Sequence, residues 1–394
     1  MKLTNKEEFA YAMVPLKILA WPVGTWPLEK HNVSSVLRFF VSVCLLILMI
    51  IIVLTEIYLD HGDAEKNLDA VVLNTCGILA LWKVALFRIR SNGLFTNFSS
   101  AVDDYNELRE EEKRGIVKRH AYMGRVACAS VIGFSYFGST LFVTVTMFAE
   151  DEEVAVVNVT EEDIMDYPIP SKCVINALRL PESLNPVIFI VEYAMMLITS
   201  TGNLGSDGLF FGITFHLCGQ VEALKLDFTK FVNETENIAE RFNALTTRHR
   251  HLLKLYKMLN DTVSSILVLQ LFTSCVLICT TGFQFIMSLT VHNVIMVIKT
   301  LVVVSTLLTQ LFAYSYVGEY VTNQMEGIGY SVYCSDWYNI PSHLSGDIVF
   351  VVMRAQDPIY LRAGKFFVVN METYMSIVKT SMSYLSVLRV MVTT

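Results

Sequence analysis

The residues best suited to handling water or ions lie on one face of the last apolar stretch, KFFVVNMETYMSIVKTSMSYLSVLRVM, residues 365–391. At about 100° per residue, Ser376, Thr380, Ser383, Val387, Val390 and Met391 share one side of a helix, with Lys379 at its margin. A helix facing lipid gains nothing from aligned hydroxyls. Two arrangements use them: a small-residue seam packed against another helix of the same subunit, or a water-lined path that narrows to an apolar ring and gates by dewetting. Lys379 bears on the choice. A charge near the bilayer centre costs roughly 2.5–3.5 kcal/mol on insertion scales, so it faces protein or water, and snorkelling is difficult from mid-span.

Nothing else in the chain spells chemistry. There is no H-E-x-x-H, Gly-rich phosphate loop, G-x-S-x-G or C-x-x-C at metal spacing. His249 and His251 flank Arg250, and two His at i, i+2 point to different sides of a helix, which favours a surface reading over a metal site. The run TGNLGSDGLFFG (201–212) lies inside an apolar span, where small residues permit close packing or a kink, and Asn203, Ser206 and Asp207 could form a buried polar cluster. No catalytic residue, metal or cofactor is expected.

The elements that position the polar stripe follow from composition. Hydrophobic residues make up 53% of 394, charged residues 17%, and the mean hydropathy is +0.48, so the chain reads as an integral membrane protein. Apolar runs near the ~20 residues needed to cross a bilayer fall at 39–58, 69–87, 126–148, 187–217, 263–288, 294–320 and 366–391. Seven spans put the termini on opposite sides. Residues 1–38 carry five Lys/Arg and no isolated apolar core, so no cleavable signal peptide is read there.

Segments 88–125 and 219–262 hold eight and seven Lys/Arg, whereas 59–68, 149–186 and 289–293 hold three between them, Lys66, Lys172 and Arg179. The positive-inside rule therefore places the N-terminus in the cytoplasm and the C-terminus outside. Of five N-x-S/T sequons, only Asn158, in the acidic loop 149–186, would face the lumen as a glycosylation site. The net charge of −7 sums a basic inner and an acidic outer side and points to no charged partner such as nucleic acid. Six of the eight cysteines lie in or beside apolar spans, and no structural disulfide is expected.

Residues 219–262 read as helix interleaved with charge, carrying the fourth and fifth spans beyond the membrane. Residues 343–363 form a shorter amphipathic segment. The chain thus reads as one all-α unit, 1–394: a cytoplasmic N-terminus (1–38), helices one to four (39–218), helices five and six (263–320), a cytoplasmic anchor region (219–262 and 321–365) and a last helix (366–391).

With those residues in hand, the C-terminal stretch GKFFVVNMETYMSIVKTSMSYLSVL (364–388) resembles the last segment of insect odorant receptors. LKILAWPVGTWP (16–27), SDGLFFGITFHLCGQVEAL (206–224), FAYSYVGEYVTNQ (312–324) and YSVYCSDWY (330–338) resemble further segments of that family, in order along the chain. The resemblance implies a subunit of a ligand-gated, non-selective cation channel, built as a tetramer around a pore lined by the seventh helix. It places the outer gate on Val387 and Met391, with Val390 adjacent, and the wet vestibule on Ser376, Thr380 and Ser383. It also implies an enclosed pocket in the outer half, among spans two, three, four and six. The faces available there are Leu73, Cys76 and Ala80; Ser135, Gly138 and Phe142 with Phe137 nearby; Tyr193, Met196, Leu197 and Ser200; and Val303, Thr306 and Leu307. Each could equally be ordinary bundle core. As a set, their apolar character suits small volatile or hydrocarbon-like ligands.

The chain lacks the long insertion in the second cytoplasmic loop and the Gln-Leu-Lys ending of the family's obligate co-receptor. It therefore resembles a ligand-tuning subunit that works as a heterotetramer with that co-receptor, in the plasma membrane of olfactory neuron cilia or dendrites. Four copies of Lys379 around a cation path would oppose conduction. A seven-helix G-protein-coupled receptor would need Asp-Arg-Tyr and Asn-Pro-x-x-Tyr motifs, which are absent, and gustatory receptors end in a Thr-Tyr…Gln-Phe pattern that SYLSVLRVM lacks.

Overall fold

The computed structural model describes residues 5–29, 32–59, 64–154, 167–232, 237–291, 294–357 and 359–393. Among them, eleven α-helices run in the order α1 (Asn5–Ala20), α2 (Val33–Leu59), α3 (Ala64–Ile89), α4 (Ser91–Glu107), α5 (Glu111–Val154), α6 (Lys172–Ala177), α7 (Asn185–Lys230), α8 (Ile238–Val291), α9 (Val294–Tyr333), α10 (Ser342–Gln356) and α11 (Met371–Thr393). The long helices α2, α3, α5, α7, α8 and α9 contain the first six apolar runs, and α11 contains all but the first five residues of the seventh. Five of them, on their described residues, are long and apolar enough to cross a membrane: Val33–Leu59, Asn67–Ile89, Asn185–Lys230, Ile238–Thr290 and Met296–Tyr333.

Length alone forces part of this bundle out of the bilayer. At about 1.5 Å per residue, the 54 residues of α8 reach roughly 80 Å and the 46 of α7 roughly 70 Å, against a hydrocarbon core of ~30 Å. The surplus projects at the end where the basic loops cluster, called here the basic end. There α10 packs on α9, and α4 packs on α8. The main apolar core lies in this half: Phe210, Phe215, Phe228 and Phe231 of α7 meet Phe242, Leu252 and Leu259 of α8 and Leu311, Val317 and Ile328 of α9. A smaller core of Met49, Val53, Ala70, Leu73, Ile169, Met195 and Met196 sits toward the opposite end. Many apolar side chains of the spans, such as Ile51, Leu54, Ile190 and Leu301, are exposed, as lipid solvation allows.

Three helices were not foreseen, one of them the six-residue α6 within the acidic loop 149–186. Residues 1–38 and 88–125 were read only as basic flanks, yet they contain α1 and α4. Their burial comes from tertiary docking. α1 lies along α7, where Gly205 brings the helices into backbone contact: a Cβ on Gly205 would stand 3.0 Å from the Leu19 carbonyl oxygen. That close approach accounts for one glycine of the 201–212 run.

The start of the last helix also differs from expectation. Residues 366–370 are not helical. Arg362–Ala363 (β1) pairs antiparallel with Phe367–Val368 (β2), across a turn in which Gly364 takes the left-handed conformation (φ 65°) that favours glycine. The Asn370 side chain then accepts the Thr373 backbone N–H at 2.9 Å. That cap starts α11 at Met371, five residues later than the apolar pattern implied.

Candidate ligand site and ion path

α11 has two unlike faces. Its inner face packs on α8 and α9. Ser381 is buried with its hydroxyl 3.8 Å from the Cys275 sulfur, Leu385 lies where a Cβ on Gly282 would meet it at 3.2 Å, and the Tyr374 ring sits edge-on to Phe312 at 5.8 Å. The outer face carries Ser376, Lys379, Thr380, Ser383 and Val387, all exposed. The Thr380 hydroxyl donates to the Ser376 carbonyl at 2.8 Å and the Ser383 hydroxyl to the Lys379 carbonyl at 3.1 Å, so both are satisfied by their own helix. The stripe is therefore not a seam buried against another helix of the same subunit. The side chains of Val390 and Met391 lie outside the described residues, as does Asn158.

The expected pocket residues divide. Leu73, Ala80, Met196 and Leu307 are buried, while Cys76, Ser135, Gly138, Ser200, Val303 and Thr306 are half-buried. Gly138 faces α9: a Cβ there would lie 3.6 Å from the Thr306 hydroxyl and 3.7 Å from Val302. The Tyr136 hydroxyl meets Thr201 at 2.9 Å, tying α5 to α7, and the Asn203 amide donates to the Cys76 carbonyl at 3.2 Å, tying α7 to α3. Phe137 does not share that face: it is 60% exposed, because it lies roughly 130° around α5 from the midpoint of Ser135 and Gly138. Tyr193 and Leu197 lie at the flank of α7, whose buried face is centred on Glu192, Met195, Met196 and Thr199. The side chain of Phe142 lies outside the described residues.

Two polar centres inside the spans were largely missed. Lys83 of α3 and Asp207 of α7, both fully buried, form an ion pair at 2.5 Å. The Tyr314 hydroxyl donates to the same Asp207 oxygen, and the Gln310 amide donates to the other at 2.5 Å. Gln270 of α8 donates on to Gln310 at 3.3 Å. One carboxylate thus gathers α3, α8 and α9 onto α7. Nearer the opposite end, Asp69 pairs with Lys299 and accepts from the Gln284 amide at 2.8 Å. The signal available in the sequence was the charge itself, since an ionisable residue in a span implies a partner.

At the basic end, Asp104 of α4 receives Nε2 of His216 at 3.0 Å and the Arg248 guanidinium. Burial alone would raise its carboxyl, but these partners hold it below the ordinary value. The neighbouring crevice, lined by Met13, Leu16, Tyr105, Gly212 and His216, has about 10 Å³ of free volume, room for one water. His120 of α5 is lowered chiefly by burial. In that neutral form its Nδ1–H donates to the Ile116 carbonyl at 3.0 Å and its Nε2 accepts from the Tyr320 hydroxyl at 2.9 Å.

Residues 63–382 match the family model described as 7tm Odorant receptor. The chain belongs to the insect odorant receptor family. Odorant receptor Or2 of Anopheles gambiae is 18% identical over 364 residues, covering 89% of this chain and 92% of that protein. Odorant receptor 85c of Drosophila melanogaster is 29% identical over 152 residues, 38% of each chain. The olfactory receptor OR5 from Machilis hrabei shares the fold, with a TM-score of 0.77 at 17% identity, covering 95% of this chain and 97% of that one. The same receptor in complex with eugenol superposes with a TM-score of 0.76 at 18% identity. This odorant receptor is thus an all-α, multi-pass membrane protein of a sensory receptor family, not an enzyme.

Proposed function

We propose that this receptor is the ligand-tuning subunit of an odorant-gated, non-selective cation channel, heterotetrameric with the odorant receptor co-receptor. It has its N-terminus in the cytoplasm and its C-terminus outside, in the membrane of olfactory neuron cilia or dendrites. α11 contributes one wall of a central path. Ser376, Thr380 and Ser383 border water, and Val387, Val390 and Met391 form the apolar constriction. The observation that carries this reading is the exposed face of α11, which holds the Lys379 charge beside the hydroxyls: within the bilayer, a charge turned away from its own subunit is stabilised only by water or by another chain.

Assembly is supported at the basic end, where Phe350, Met353, Phe366 and Phe367 are 56–88% exposed beyond the spans. In an aqueous compartment such a patch favours a protein partner. The anchor region of 219–262 and 321–365 would then hold the subunits together. The ligand reading rests on the apolar faces of α3, α5, α7 and α9, which suit a small volatile held by shape and burial at ~25 cal/mol per Å².

Cysteines placed singly at 376, 380 and 387 test the path. When the receptor is co-expressed with the co-receptor, a charged aqueous thiol reagent should modify positions 376 and 380 and change the current, with faster modification during odorant application. Three positions that stay sealed in resting and stimulated channels would overturn the pore reading.

A further inference from the structure

Residues 167–171, between the acidic loop and α6, are not helical, yet Ile169 has 0% exposure. Its side chain completes the smaller core with Met49 and Val53 of α2, Ala70 and Leu73 of α3, and Met195 and Met196 of α7. Leu73 and Met196 are two of the residues assigned above to the volatile site. A non-helical strap therefore delivers one apolar side chain into the outer half of the bundle, between three helices.

What holds the strap is unusual for a loop. Glu192 of α7 is 3% exposed; one of its oxygens accepts the Ile169 backbone N–H at 3.3 Å and the other accepts the Ser171 hydroxyl at 2.6 Å. Glu56 of α2 is 6% exposed and accepts the backbone N–H groups of Cys173 and Val174, each at 2.9 Å. The Tyr167 hydroxyl adds a bond to Asn185 at 3.0 Å. Burying a carboxylate is costly unless donors replace its water. Here two carboxylates on two different helices each take two donors from one short segment, and charge-assisted bonds of this kind are stronger than neutral ones. The Glu192 latch holds Ile169 itself and Ser171, the Glu56 latch holds the start of α6 just beyond, and the Tyr167 bond ties the other side, so the depth of the Ile169 side chain is set by the helices and not by the loop.

We propose that Ile169 is a specificity-determining residue of the volatile site, forming its outer wall and limiting ligand length, with Glu192 and Glu56 as positioning residues that hold it in place. The proposal rests on the ligand reading given above. The ligand class is a small, largely apolar molecule, because the wall is built from aliphatic and thioether side chains. Its size limit is set by how far the Ile169 side chain reaches toward Leu73 and Met196.

The experiment uses the full chain co-expressed with the co-receptor and a series of n-alkanols of increasing length as probes. Ile169→Ala should move the preferred chain length upward and improve the response to longer members by about tenfold, the scale of a methylene or two in an apolar pocket. Ile169→Phe should move it downward. Glu192→Gln should relax the length limit in the same direction as Ile169→Ala but by less, and should also speed current decay on washout for every member, the uniform faster decay separating positioning from wall-forming. Ile169→Cys, in a Cys173→Ser background, gives a readout independent of ligand response. A membrane-impermeant thiol reagent should label position 169 slowly, and about tenfold faster when Glu192→Gln is added. An unchanged alkanol order in both Ile169 variants, or labelling of 169 that ignores Glu192→Gln, overturns the proposal. A wild-type receptor silent to every volatile while 169 labelling still depends on Glu192 leaves the strap standing and sinks the ligand reading instead.

Discussion

Single side chains set the hardest constraints on this molecule, and the Lys83–Asp207 pair is the clearest. A buried ion pair adds little to stability over an apolar pair of the same shape, but removing one partner strands a charge and costs about 3–5 kcal/mol. Asp207→Asn should therefore sharply reduce surface expression and the melting temperature of detergent-purified receptor. The double variant Lys83→Met/Asp207→Leu should recover most of both. His249 supplies a pH dependence of defined sign. Burial, and then the nearby Arg354 charge, push its imidazole down to about 4, against an unfolded value near 6.5. Above the unfolded value both states are neutral and the full stability is present. As pH falls from about 6.5 toward 4 the unfolded chain takes up a proton that the folded one refuses, and stability is lost through that window. Melting temperatures between about pH 7.5 and 5 should fall in the native receptor and fall less in His249→Gln. At the ligand site, Gly138→Trp should abolish odorant responses while leaving co-assembly intact, because the new ring would fill the space in front of Thr306 and Val302; unaltered responses would remove α5 from the site.

Elements succeed or fail by what they dock against. A valine at 205 would push its Cβ toward the Leu19 carbonyl, a backbone atom that cannot rotate away. Overpacking of this kind costs typically 1–3 kcal/mol, so Gly205→Val should loosen α1, seen as faster hydrogen exchange over residues 5–20 with α8 and α9 unchanged. The same dependence on docking explains what could be read in the chain beforehand. The seven membrane helices were legible because each carries its own signal, a run of apolar residues long enough for a bilayer. The extensions of α7 and α8 were legible from apolar periodicity continuing through charged sequence. α1 and α4 were not, because α1 carries Pro15, a helix breaker in sequence terms, inside it and α4 mixes apolar and polar residues evenly; both owe their burial to α7 and α8. The hairpin that delays α11 was hidden because Lys365, Phe366 and Phe367 look like the first turn of a span. The hydroxyl stripe was visible from spacing, whereas Lys83 with Asp207, 124 residues apart, and Ile169 with Met196 are meetings that only the folded bundle makes.

At the scale of the whole assembly, the proposed channel would be limited by Lys379 in how many copies of this chain it can hold. Its side chain is exposed on the same face as Ser376, Thr380 and Ser383. If that face borders the path, four copies form a ring of positive charge. Two such charges about 10 Å apart repel by roughly 1.7 kcal/mol at an effective dielectric near 20, and every permeating cation feels the whole ring at once. One or two copies among co-receptor subunits leave a weaker barrier that salt screens further. The chain expressed alone should therefore give little or no odorant current, and co-expression with the co-receptor should restore it. Lys379→Ser should raise the current of the chain alone much more than that of the mixed channel, because the barrier grows with the number of copies. Equal gains in both settings would place Lys379 away from the path, and large currents from the unmodified chain alone would show that four lysines do not block it.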